Sequence, residues 1–147
     1  MPVRPHRLRS PRNHGLLVSL VGPAVNITIA LIAALILRFL RPEAAPLVLA
    51  NLQGSTSTAP GLLDQILFYT GFVNVILAAF NLIPLPPLDG SALIERFMPK
   101  QWFNGWLKMR NYSMGILLVV MLVGSSRGWL SQFVFAPAIG LWTQLLV

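Results

Sequence analysis

From Leu16 to Leu37 the chain runs for 22 residues without a charge. A helix of that length is about 30 Å long, the thickness of a bilayer's hydrocarbon core. A second such run, Leu62 to Ile83, carries a single charge, Asp64, near its start. In lipid every backbone N–H and C=O must find its partner within the protein, and helices achieve this segment by segment. The expected fold class is therefore all-α, a multi-pass transmembrane helix bundle in a cell membrane. The composition agrees. Of 147 residues, 55% are hydrophobic and 10% charged, against about 25% charged in a soluble domain.

Both runs carry a stripe of small and polar residues. Gly22, Asn26, Ala30 and Ala34 recur at every fourth position, and Asn74, Ala78 and Asn81 share a second face. Small residues let helix backbones approach closely in lipid, and amides there seek partners across the interface. The two stripes are expected to pack together. Pro23 falls in the second turn of a helix beginning at Leu16, where a missing donor is least harmful. Residues 1–15, with Pro2, Pro5 and Pro11, read as an extended or turn segment near the headgroups. Arg38 to Gly61 reads as a loop because of its Gly-, Ser- and Pro-containing stretch. Two further apolar runs, Met109 to Gly124 and Trp129 to Val147, bring the expectation to three spans and one less regular segment.

The net charge is +7, from 11 basic and four acidic residues. The basic residues lie outside the long apolar runs, as they do in membrane proteins. With the N-terminus inside, Arg4, Arg7, Arg9, Arg12, Arg96, Lys100, Lys108 and Arg110 are cytoplasmic, against Arg38, Arg41 and Arg127 outside. That asymmetry predicts a cytoplasmic N-terminus. Trp102, Trp106 and Trp129 flank the runs beside Arg or Lys and read as interfacial anchors rather than base-stacking platforms. The partner expected of the surface is the lipid bilayer, with no nucleic acid. The absence of cysteine excludes disulfides, thiolate metal sites and thiol catalysis.

One segment interrupts the pattern. Asn81-Leu82-Ile83-Pro84-Leu85-Pro86-Pro87-Leu88-Asp89-Gly90 has three prolines in four positions and cannot continue a helix. An extended piece at membrane depth persists only where protein buries it or it lines a wet cavity, so an extended Pro-rich segment is expected in the core. It ends on Asp89. An ionisable group beside a span points to a function by default, and a carboxylate can ligate a metal. The alternative is that Asp89 caps a short helix beginning near Gly90. Gly90 itself permits a sharp exit or the close approach of another group.

Asn81-Leu82-Ile83-Pro84 followed by Leu88-Asp89-Gly90 resembles the N-x-x-P…L-D-G signature of the site-2 protease family, which comprises intramembrane zinc metalloproteases. Ser19-Leu20-Val21-Gly22-Pro23-Ala24-Val25-Asn26 is similar to that family's Ser-Leu-x-Gly-Pro-x-x-Asn helix. The resemblance is to the compact prokaryotic subgroup without a PDZ domain and covers roughly residues 2 to 99. It implies that Asp89 is a zinc ligand and that Asn81 hydrogen-bonds the substrate or its developing oxyanion. It also implies a substrate that is a transmembrane segment of another protein. Residues 1–147 would then be the C-terminal portion of a single membrane domain.

The family's other two ligands and its general base belong to an H-E-x-x-H helix, which this sequence lacks. Its histidines are His6 and His14, in the basic Pro-containing stretch, and its glutamates are Glu43 and Glu95. As replacement ligands, His6 and His14 are a poorer reading than ordinary surface histidines. The expectation is a truncated or degenerate member, inactive by itself. Two other readings stay open. One is a non-catalytic membrane protein that binds transmembrane partners. The other is a transporter-like bundle in which Asp89 handles ions or protons.

Overall fold

The computed structural model of the chain describes residues 11–146. The basic stretch with Arg4, Arg7, Arg9 and His6 lies outside the described residues. All regular elements among those described are helical: α1 (Pro11–Leu35), α2 (Ala44–Leu52), α3 (Leu62–Asn81), α4 (Ser91–Phe97), α5 (Phe103–Asn111), α6 (Ser113–Ser126) and α7 (Ala136–Leu146). Wider π turns extend α1 through Ile36–Leu40 and precede α7 at Ser131–Phe135. Gly15–Leu40 and Leu62–Asn81 are each long and apolar enough to cross a membrane.

Three expectations need correction. Helix α1 begins at Pro11, not near Leu16, so residues 11–15 are not extended. Proline at the first helical position loses no bond, since that N–H has no partner in the helix anyway. Pro23 consequently lies in the helix interior and is buried. It leaves the Ser19 carbonyl without its i+4 donor. The segment expected as a loop from Arg38 contains α2, which sends Ala44, Ala45 and Val48 into the core. The last two apolar runs are not independent spans. Together α6 and the Ser131–Leu146 helix pass the length and hydropathy requirement for one crossing, but they meet at 88°. Gly128, at φ 71°, makes the break. That left-handed conformation is the usual helix terminator and suits glycine.

The bundle is organised around α1 and α3, which form the main helix–helix contact, with α7 packed against α3. Ala30, Ala33 and Ala34 on α1 are buried, as are Phe68 and Ala78 on α3. The two stripes thus meet, but their amides do not bond across the interface in the way expected. Asn74 donates to the Thr70 carbonyl one turn back, at 2.8 Å. Asn26 is half-buried and makes no side-chain hydrogen bond among the described residues. The α1–α3 contact therefore rests on close backbone approach and dispersion.

At one end of the bundle Arg41, just past α1, meets Asp64 in the first turn of α3 at 2.7 Å. The carboxylate side chain is 10% exposed and the guanidinium 42%. The pair is close but poorly aligned, and Asp64 Oδ1 accepts no hydrogen bond. The attraction is thus mainly between charges. It fixes the turn between α1 and α2 onto α3, which runs antiparallel to α1. Arg41→Met leaves a buried carboxylate without its cation and is expected to cost about 1–3 kcal/mol. Thermal unfolding in detergent micelles measures this, and Asp64→Asn in the same background should recover part of the loss.

Candidate functional site

The other end of the bundle carries the Pro-rich segment. Helix α3 ends at Asn81, and the chain passes through Pro84, Pro86 and Pro87 without regular structure to α4. The Pro86–Pro87 bond is cis, and Pro86 is fully buried. The segment folds back on itself. The Gly90 N–H donates to the Asn81 carbonyl at 2.7 Å, closing a loop of the eight residues between them onto the end of α3. A Cβ on Gly90 would collide with the carbonyl oxygens of Leu82 and Ile83. The φ of Gly90 is −59°, which any residue adopts. Glycine is therefore required for close approach and not for its conformational freedom.

This loop delivers Asp89 to α1. A Cβ built on Gly22 would lie 2.9 Å from Asp89 Oδ2. The carboxylate thus occupies the space that a side chain at position 22 would fill. Asp89 is half-buried. It does not cap α4: the helix N-cap is Gly90, and no side-chain capping bond is made. The Asp89 backbone carbonyl accepts from Ala92 N–H instead, at 3.1 Å. Asn26 lies one turn beyond Gly22 on the same face by helical spacing. Asn81, also half-buried, is tied to the Asp89–Gly90 corner through its backbone. The structure thus brings Asp89 to Gly22 on α1 and the Asn81 backbone to Gly90. Gly22 is the residue whose part spacing alone does not disclose. Periodicity assigns it to a packing face, whereas the structure makes it the seat of a carboxylate.

The side chain of His14, like the whole of His6, lies outside the described residues. Among the described residues no group of three or more His, Cys, Asp or Glu side chains is placed to hold a metal ion. Catalytic zinc usually takes three protein ligands and a water. One half-buried carboxylate does not meet that requirement, so the described residues do not by themselves fit zinc.

Comparison with known proteins gives the context of this geometry. The model of peptidase family M50 matches residues 43–124. The chain is 30% identical over 122 residues to the "Putative zinc metalloprotease YwhC" of Bacillus subtilis, covering 83% of this chain and 52% of that protein. It is 24% identical over 119 residues to the "Putative zinc metalloprotease Rip2" of Mycobacterium tuberculosis, covering 81% of this chain and 40% of that protein. The chain thus spans about half the length, or less, of these relatives. No solved structure matches it. The family match covers more than half of the sequence and includes the whole of α3, the Pro-rich loop and Asp89, and on that ground this chain belongs to peptidase family M50, the site-2 protease family of membrane metalloproteases.

Proposed function

We propose that the chain contributes the aspartate-bearing part of an intramembrane zinc metalloendopeptidase site that cleaves transmembrane segments of other proteins. One observation carries the reading. Asp89 is spared from capping α4 and is seated against Gly22, on a helix apolar enough to span a bilayer. A carboxylate kept half-buried in such surroundings calls for a cation. In this reading Asp89 is one zinc ligand, and the Asn81 amide donates to a substrate carbonyl where negative charge builds up. The remaining donors come from an H-E-x-x-H helix, which the 147 residues do not contain. In this reading the N-terminus and the α4–α5 region lie on the cytoplasmic side, which the excess of basic residues there favours.

The 147-residue chain alone is expected to show no zinc-dependent cleavage of a transmembrane substrate, and measurable cleavage would contradict the half-site. Joined to an H-E-x-x-H helix from a family member, it is expected to bind one zinc ion. Asp89→Ala should then lower the affinity by at least about 100-fold, beyond the loss seen for residues that merely support a ligand. Equal affinity in the two proteins would remove Asp89 from the site. A non-catalytic reading, favoured by the lack of a three-donor group among the described residues, predicts otherwise. The fused protein would still capture a transmembrane segment but bind no zinc.

A further inference from the structure

The segment after Asp89 carries a second set of features that the protease reading does not use. Helix α4 and the connector that follows it, with its short 3-10 turn at Lys100–Trp102 before α5, form an apolar cleft of about 390 Å³ lined by Leu93, Ile94, Phe97, Met98, Pro99 and Trp102. Phe97 is 81% exposed and Trp102 67% exposed. The cleft is at the small end of the range for ligand sites, about 300–1,000 Å³. That volume suits a flexible hydrocarbon segment.

Charge identifies what attaches to that hydrocarbon. Residues 91–112 hold four basic side chains and one acidic one, Glu95. Glu95 is already engaged: it accepts from Trp106 Nε1 at 2.9 Å and lies 3.7 Å from Arg110. Its place on α4 is two residues from both Leu93 and Phe97, on the side turned away from them. Arg96 and Lys108 are exposed, and among the described residues neither forms an ion pair. Helix α4 packs on α1, at the end of the bundle opposite Arg41 and Asp64. An exposed aromatic pair within a basic stretch of chain, next to a spanning helix, is the chemistry of the headgroup layer.

We propose that the α4–α5 connector is a binding site for an anionic phospholipid of the surrounding bilayer. An acyl chain occupies the cleft, and the headgroup phosphate faces Arg96 and Lys108. The site is independent of any zinc chemistry at Asp89 and stands or falls separately from it.

The test uses the full chain reconstituted into phosphatidylcholine vesicles. These carry, at equal mole fraction, either phosphatidylglycerol or phosphatidylcholine with brominated acyl chains, which quench indole emission on contact. Stronger quenching by the anionic lipid is expected. Trp102→Phe should remove most of the difference, which assigns it to the cleft rather than to Trp106, Trp129 or Trp142. Arg96→Gln and Lys108→Gln are each expected to lower the relative association constant for the anionic lipid about fivefold, at roughly one basic side chain's worth of attraction to an anionic surface. Equal quenching by the two lipids would overturn the proposal and leave ordinary lipid contact. Absence of quenching by either would overturn it in favour of a second copy of this chain covering the cleft. A preference that survives both substitutions would place the anionic site elsewhere.

Discussion

Gly71→Ala is expected to destabilise the bundle by on the order of 3 kcal/mol, a large effect for a single methyl group. A Cβ at position 71 would run into the ring of Trp142, at Cη2, Cζ2 and Cζ3. The ring cannot retreat. Trp142 is fully buried, and it belongs to the same cluster as Ala30, Ala33, Ala34, Leu37 and Phe68. Phe68 sits edge-on to it with ring centroids 6.0 Å apart. Overpacking a rigid site costs about 1–3 kcal/mol and sometimes more. Truncating the partner, Trp142→Ala, is expected to cost about 3–5 kcal/mol by opening a cavity. In a membrane these losses come from packing, since lipid is as apolar as the vacated space. The two substitutions are not independent. Combined, they should cost less than their sum by about 1–3 kcal/mol, because the small ring-free site accommodates the new methyl. Thermal or denaturant unfolding in mixed micelles measures all three, and strict additivity would show that the two residues do not touch.

Gly90→Ala is the second large effect, and it is local. The new methyl would strike the carbonyl oxygens of Leu82 and Ile83. These are backbone atoms at the end of a spanning helix and cannot rotate away. The Gly90 N–H to Asn81 carbonyl bond is expected to break, and Asp89 should swing off α1. The cost is about 1–3 kcal/mol of stability, with the helical content of α1 and α3 nearly unchanged. The chain has no cysteine, so a Gly22→Cys/Asp89→Cys pair gives a clean report. In the parent chain the pair is expected to cross-link readily under mild oxidation, since a Cβ at position 22 lies 3.9 Å from Asp89 Cγ. Adding Gly90→Ala should reduce the yield at least about tenfold, which is about 1.4 kcal/mol of lost proximity at equilibrium. Cross-linking that is absent in the parent would overturn the seat on Gly22. Cross-linking that is equal in both would show that the loop does not need glycine.

Parts of this architecture were legible in the sequence for identifiable reasons. Helices α1 and α3 announce themselves by uncharged length, and the break after Asn81 by three prolines that leave no helical alternative. The short helix after Gly90 follows from the same stop. What escaped the sequence depends on context. Arg12, Asn13 and His14 lie outside the apolar run yet continue its helix, so the true start at Pro11 was hidden and Pro23 was set one turn from a terminus. The turn-rich Gly54–Gly61 stretch made the whole of Arg38 to Gly61 read as loop, and so hid α2, whose Pro46 sits in the first turn, where its missing donor costs little. The Gly71–Trp142 contact joins residues far apart in the chain, and no local pattern encodes it. The expectation that Asn74 bonds across the interface failed because a nearer acceptor, the Thr70 carbonyl, was available on its own helix.

The seat of Asp89 also sets a depth. Gly22 lies seven residues beyond Gly15, where the apolar length of α1 begins, so the carboxylate sits about 10 Å along that apolar length. Water and protons therefore have a short route to it from one side, and no long aqueous channel is required. A peptide bond brought to that level lies within two or three helical turns of the membrane edge. In the proposed protease reading, a substrate helix would then need to fray only at its end, losing a few hydrogen bonds rather than unwinding through its middle.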